Sequence, residues 1–355
     1  MWGICRPVSC IEAGTATTTF MATNELTIAV TVRLGDNQLT AELAPQTGVL
    51  PQPAAAVAAL EAARPLGYYI GYEGYDVNFL GQPVPLPVLT DEQRRNAAKN
   101  SSATAGQDPT VLPYTHFSIV MNRRRQLAYY TAVNIDGALI PPAEDTTRGK
   151  DKWFYDSRIA ESEQIGETLY ARNALDRGHL VRRLDPVWGP YWQRANDDTF
   201  HFTNCSPQHE KFNQGKDLWQ GLENYLLDAA DIRDKKMTVF TGPVMDEDDP
   251  LYKGVRLPLA FWKILLYQRN NQLVVAAYVL EQGKLIADML SAAAREAAFE
   301  PGAFRVPLQH LIERTGLQFA FPEAQELDLK DGGLNEFEAA HERVALRFGY
   351  RDLSM

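Results

Sequence analysis

Hydrophobic residues first fall into a period of two at Leu26, Ile28, Val30, Val32 and Leu34, and again at Leu39, Ala41 and Leu43, with Gly35-Asp36-Asn37 between the runs. Alternation on either side of turn formers predicts a β-hairpin over residues 24–43. A second hairpin is predicted from His116–Met121 and Leu127–Val133, with a basic tip at Asn122-Arg123-Arg124-Arg125. Thr199–Asn204 reads as a further strand, and Met237–Gly242, Phe261–Tyr267 and Leu273–Leu280 complete a central sheet. From Phe212 to Ile232 the pattern changes. Leu218, Leu222, Tyr225, Leu226 and Ala229 recur every three or four residues, which predicts a helix with one buried face and Asn213 at its N-terminal end. Residues 285–297 and 305–314 are helical by the same rule, as is a last stretch through Leu334, Phe337, His341 and Val344. The fold class is mixed α+β.

Breaks in these patterns organise the chain. Residues 44–66 are rich in Ala and Pro around a short helix expected at 54–63, which marks a linker. Residues 67–110 mix aromatic residues with turn formers and predict little regular structure. The expected divisions are an N-terminal extension with a hairpin (1–66), an irregular connector (67–110), a main domain (111–325) and an acidic helical tail (326–355). No internal repeat is present.

With 355 residues, 45% of them apolar, the chain can bury a full core. Its net charge of −10 opposes the whole surface acting as a polyanion-binding face, so any nucleic-acid site has to be locally basic. Cys5, Cys10 and Cys205 make neither a disulfide framework nor a four-cysteine zinc site, which fits a reducing compartment. No run approaches a membrane span, and the first twenty residues lack a continuous apolar segment, so a soluble, cytoplasmic protein is expected.

Candidate chemistry lies in Leu175-Asp176-Arg177-Gly178-His179-Leu180 and in Phe212-Asn213-Gln214-Gly215, followed by Trp219 and Glu223. Phosphodiester hydrolysis needs a base for water, a cation for the phosphate and leaving oxygen, and hydrogen-bond donors. His179 titrates in the right range to be that base. The Asn213 amide oxygen is a hard ligand suited to Mg²⁺, which keeps most of its waters. On one continuous helix Glu223 would fall within roughly 80° of the face of Asn213, in reach of a metal-bound water. Arg177 and Arg148 have planar forks that grip phosphate. Taken singly, such residues are usually solvated or structural. Trp219 reads as core, Asn204 as a strand end, and Arg123, Arg124, Arg125, Arg182 and Arg183 as solvated loop charges. His116, His201, His209, His310 and His341 read as structural. The order of the two motifs changes the odds, because Asp-Arg-Gly-His arises by chance in roughly one or two chains of this length per thousand.

These motifs, together with Asp197-Asp198-Thr199-Phe200 leading to Thr203-Asn204-Cys205-Ser206-Pro207-Gln208, resemble the sugar-nonspecific DNA/RNA endonucleases with a ββα-metal (His-Me finger) core, the endonuclease G-like family. The resemblance spans about 111–325. It implies that His179 is the general base, Asn213 the direct protein ligand of a hydrated Mg²⁺ that Mn²⁺ can replace, and Glu223 an outer residue beside it. It further implies Arg177 near the phosphate, Asn204 as an auxiliary polar group, and an upstream arginine, for which Arg148 is chosen over its rival Arg158. The implied activity is cleavage of DNA and RNA to 5′-phosphate ends. Two departures stand out: Lys216-Asp217 lengthens the Asn213–Glu223 segment by about two residues, and the loop Leu184–Asn196 is extended.

The leading expectation is a metal-dependent, sequence-nonspecific endonuclease. An inhibitory or activating protein partner, or the N-terminal extension, is expected to restrain it, as in a toxin or defence effector, and homo-oligomerisation stays open. The alternative is a nucleic-acid-binding or interaction module on the same fold with impaired catalysis, motivated by the altered spacing.

Overall fold

The computed structural model describes residues 62–146, 151–216, 218–224, 236–290 and 302–326, together with strands at 16–21, 27–35, 38–42 and 344–345. The chain divides into two units, Met1–Leu60 and Glu61–Met355. In the first, β1 (Ala16–Met21), β2 (Thr27–Gly35) and β3 (Gln38–Glu42) form an antiparallel sheet in which β2 and β3 pair Leu34 with Leu39. The expected hairpin is there, with β1 added. The helix expected at 54–63 lies almost wholly outside the described residues, as does most of the last stretch.

The second unit starts with β4 (Ala63–Arg64) and α1 (Asp91–Asn96). The predicted second hairpin follows β5 (Val111–Pro113) as β6 (Phe117–Asn122) and β7 (Leu127–Asp136). Next come β8 (Tyr155–Asp156), α2 (Glu167–Tyr170), β9 (Leu175–His179), α3 (Trp192–Asp198), β10 (Cys205–His209) and α4 (Glu210–Asn213). A further helix, α5, occupies residues 219–224. The rest is β11 (Lys236–Val244), the small hairpin of β12 (Leu251–Tyr252) and β13 (Val255–Arg256), β14 (Ala260–Arg269), β15 (Gln272–Glu281), α6 (Gly283–Leu290), β16 (Gly302–Val306), α7 (Leu308–Thr315), β17 (Gln325–Glu326) and β18 (Val344–Ala345).

The central sheet runs β18-β16-β15-β14-β11-β7-β6-β5, with β17 parallel to β15. Its long strands are apolar almost throughout because both faces are covered. On one face Phe261, Leu265 and Tyr267 of β14 join Val274, Ala276, Tyr278 and Leu280 of β15, and that core also takes in Leu180, Phe212, Trp219 and Leu222. Alternate residues, Trp262, Ile264 and Leu266 with Val275, Ala277 and Val279, pack on the other face with Leu311, Phe319 and Phe321. The first face positions the site.

Three expectations need correction. Thr199–Asn204 is not a strand: Phe202–Asn204 is one turn of 3₁₀ helix and the strand begins at Cys205, where pairing to β9 becomes available. The helix expected from Phe212 is broken, so Asn213 closes the short α4 at its C-terminal end, and the chain turns at Gln214–Gly215 before α5. Arg305 and Val306 belong to β16, where Arg305 pairs with Tyr278, and the helix after them starts at Leu308. No described helix is long and apolar enough to cross a membrane.

Candidate active site

The site stands on two short strands and one helical turn. β9 and β10 pair antiparallel, with His179 opposite Cys205 and Gly178 opposite Ser206. Gly178 has to lack a side chain, because a Cβ there would collide with the buried Gln208 carboxamide across the pair. α4 follows directly, its first turn capped by the His209 ring accepting from Lys211 N at 3.2 Å. Phe212, fully buried, fastens α4 to the central sheet, its ring centre 5.8 Å from Trp219 and 5.7 Å from Phe261. Gly215 allows the tight turn that follows, since a Cβ would lie 2.8 Å from Lys211 O.

These anchors gather His179, Asn213, Glu223, Asp176, Arg177 and Arg182 around one cleft of about 670 Å³. Asp151, Trp153, Arg183 and Gln220 line it as well. The His179 ring packs against Trp153 at 4.8 Å and edge-on to Phe200 at 5.2 Å, and Trp219 Nε1 donates to the His179 carbonyl at 3.3 Å. Asp176 Oδ2 accepts from Asn213 Nδ2 at 2.9 Å and from Gln214 Nε2 at 2.8 Å. Because a carboxylate only accepts, this bond fixes which way the Asn213 amide faces and leaves its carbonyl oxygen as the group available to a cation. Arg177 pairs with Glu167 and lies 5.7 Å over Trp153.

Glu223 is buried beside Lys263, whose Nζ is 3.3 Å from Oε1, close enough for an ion pair but not aligned as a full hydrogen bond. Burial pushes the Glu223 carboxyl up to about 7, the nearby Asp185 adds to this, and Lys263 and Arg182 oppose it. Lys263 is itself buried, reaching Leu180 O at 3.4 Å and Thr241 Oγ1 at 3.2 Å and standing 4.3 Å over the Trp219 ring.

A model of the DNA/RNA non-specific endonucleases matches residues 94–325 of the chain. The chain belongs to the DNA/RNA non-specific endonuclease family. Among relatives of this nuclease-family chain, uncharacterized protein y4fB of Sinorhizobium fredii is 43% identical over 289 residues, covering 76% of this chain and 43% of that one. Mitochondrial endonuclease G of Bos taurus is 26% identical over 188 residues, 49% of this chain and 58% of that one. The mitochondrial nuclease of Saccharomyces cerevisiae is 26% identical over 219 residues, 56% and 61% of the two chains. This chain thus spans about half the length of these relatives, from 43% to 61%. A crystal structure of the EndoG/EndoGI complex aligns with a TM-score of 0.47 at 20% identity, over 63% of this chain and 92% of that one.

Four of the residues expected at the nuclease-family site, His179, Arg177, Asn213 and Glu223, come together in the cleft. Asn204 does not face it. Its amide is used inside the fold, accepting from Val181 N at 2.9 Å and donating to Val181 O and Thr199 O, both at 3.0 Å, so it clamps the backbone after His179 instead of acting as an auxiliary polar group. Arg148 lies outside the described residues. Its rival Arg158 is buried against Asp156, with Nη1 donating to Pro113 O at 2.6 Å, and belongs to the core.

Arg182 and Arg183, read from sequence as solvated, are cleft residues. Arg182 donates to Glu223 O at 3.0 Å and to Asn224 Oδ1 at 2.7 Å; Arg183 donates to Thr146 O at 3.1 Å and to Asn196 Oδ1 at 3.0 Å. Their place directly after His179-Leu180-Val181 was the available signal. Asp176 was also missed as a working residue, although it stands inside the motif.

Proposed function

We propose that this cleft hydrolyses phosphodiester bonds in DNA and RNA with the help of a hydrated divalent cation, Mg²⁺ or Mn²⁺. The observation that carries the reading is convergence: an imidazole, an oriented amide oxygen, three carboxylates and three arginines share one cleft, although they come from β9, α4 and α5, from the loop after β9 and from the segment before β8. The donor set fits the cation. Asn213 presents a hard oxygen held in one orientation by Asp176, and Asp176 and Glu223 line the same cleft to accept from its waters. When bound, the cation supplies positive charge to the phosphate and to the departing oxygen.

The protein groups do the rest. His179 takes the proton from the attacking water, its backbone tied down by Trp219 on one side and its ring packed on Trp153 and Phe200. Arg177 and Arg182 offer guanidinium donors to the phosphate oxygens, where negative charge grows. Asp176, itself held by Gln214, keeps the Asn213 amide from rotating.

The test is a divalent-metal panel with the purified chain against plasmid, single-stranded DNA and RNA. Cleavage of all three with Mg²⁺ or Mn²⁺, and none with a chelator present, supports the reading. Tight binding without cleavage in any metal would assign the chain to a binding role instead.

A further inference from the structure

A row of alternating cationic and aromatic side chains takes no part in the chemistry above. It starts at Lys152 and Phe154, the sequence neighbours of Trp153, which lines the cleft. Lys152 Nζ lies 5.1 Å from the centre of the Phe154 ring, and the Arg64 guanidinium lies 3.7 Å from the same centre. Arg64 also covers Tyr68 at 4.6 Å, and Tyr68 meets Tyr72 at 5.8 Å. Arg194 then stands 4.6 Å over Tyr72 and 4.8 Å over Tyr191.

The fold fixes this row from beneath. β4 carries Arg64 alongside β8, pairing it with Asp156, and Phe154 bridges to His201. The hydroxyls of Tyr68 and Tyr72 both donate to Asp198 Oδ1, at 2.8 and 2.9 Å, and the buried Asp198 is held in turn by Thr115 N at 3.0 Å. Arg194 Nε donates to Thr115 Oγ1 at 2.8 Å. The far end opens into a second hollow of about 710 Å³ lined by Ile70, Trp188, Tyr191 and Arg194. Tyr191 is 58% exposed there and Ile70 81%. Leu184 of the cleft and Trp188 of this hollow are four residues apart, at most about 14 Å of chain.

Charge separates this row from the paired arginines of the fold. Arg125, Arg158 and Arg177 each sit against a carboxylate, whereas Arg64, Lys152 and Arg194 make no ion pair among the described residues. Arg64 Nε is buried and has no hydrogen-bond partner among the described residues. Rings hold these cations in place without neutralising them, so their charge stays available to phosphate. Arg64, Tyr68 and Tyr72 also precede the segment that matches the family, which begins at residue 94.

We propose that the row is a track for single-stranded nucleic acid, binding the strand beyond the bond that the cleft cuts. Backbone phosphates lie on Lys152, Arg64 and Arg194, and an unpaired base stacks on Tyr191. The exposed ring of Tyr191 selects an unpaired strand, because a duplex keeps its base faces covered. Glu73 and Asp76 border the far hollow and repel phosphate, so the track ends near Tyr191. The inference rests on the nuclease reading of the cleft.

The test is fluorescence anisotropy on the full chain carrying His179→Ala to stop turnover, with oligothymidylates of about 6 and about 30 nucleotides and a duplex of about 30 base pairs. Arg64→Gln with Arg194→Gln should remove at least about tenfold of the affinity gained on going from the short strand to the long one, and lower the salt slope by about 1.4. Tyr191→Ala, at an exposed position that leaves the melting temperature unchanged, should cost the long strand roughly tenfold. Arg95→Gln on α1 should change neither. Equal losses on strand and duplex, or an unaltered affinity for the long strand, overturn the track. Cleavage by the unsubstituted chain is assayed in parallel: cutting with no effect of the variants overturns the track alone, whereas neither cutting nor binding overturns the nuclease reading and the track with it.

Discussion

Asp156 and Glu223 are both buried carboxylates with a basic partner, and burial pushes both pKa values up, yet the net shifts are opposite. Asp156 receives Arg158 Nη2 at 2.7 Å, Arg158 Nε at 3.1 Å on both oxygens, the Arg158 backbone N–H at 2.8 Å and the Tyr114 hydroxyl. Burial alone would raise its pKa, but the Arg158 charge and these bonds outweigh it and hold the carboxyl below its ordinary value of 3.8. Glu223 has one ammonium 3.3 Å away and no such shell among the described residues, so burial wins and the carboxyl rises to about 7. The difference lies in the number of aligned donors. A carboxylate whose lone pairs are all used inside the fold is structural, and one that keeps accepting capacity beside a cleft can serve a bound group.

The largest effect should come from breaking the saturated cluster. Arg158→Met leaves Asp156 buried without its counter-charge and should cost about 3–5 kcal/mol in urea unfolding. A loss below about 1 kcal/mol would remove the contrast, since that is the scale of a surface pair.

The next prediction uses pH. The Glu223 carboxyl titrates near 4.5 when unfolded and at about 7 when folded, so the folded state holds its proton between those values. Its contribution to stability is therefore complete below 4.5, falls as pH rises toward 7, and is flat above. Asp156 acts in the reverse sense: its contribution is present above 3.8 and is lost only as pH falls below that value. Glu223→Gln should accordingly gain on the wild type by on the order of 2–3 kcal/mol between about pH 4.5 and pH 8, read from urea midpoints. A constant difference across that range would mean that Glu223 is not held protonated.

Asp176→Ala tests the cleft side of the comparison. It removes the one oxygen that accepts from both amides, so Asn213 loses its fixed orientation. Mn²⁺ affinity by calorimetry should fall roughly 10–100-fold while the melting temperature moves little.

The sequence made the sheet legible because β6, β7, β11, β14 and β15 are long apolar runs, and it made His179, Arg177 and Asn213 legible because their motifs are ordered and rare. What it hid was decided by tertiary packing. Residues 175–179 are half polar, and they form a strand because the Cys205–His209 segment pairs with them. Apolar spacing from Leu218 to Ala229 continued smoothly into Phe212, but the turn at Gly215 interrupts it, so Glu223 reaches the cleft by a route other than a continuous helix face. The family resemblance offered Asn204 as a site residue and Arg158 as a rival one. Only their hydrogen bonds, to the Val181 backbone and to Asp156, assign them to the fold.

The central claim is that His179 is the base of a metal-dependent nuclease cleft, and plasmid nicking by His179→Ala tests it most directly. At millimolar Mg²⁺, with the melting temperature matched to the unsubstituted chain, nicking should fall by about 10²–10⁴-fold. Nicking at the unsubstituted rate by a correctly folded His179→Ala chain would contradict the account.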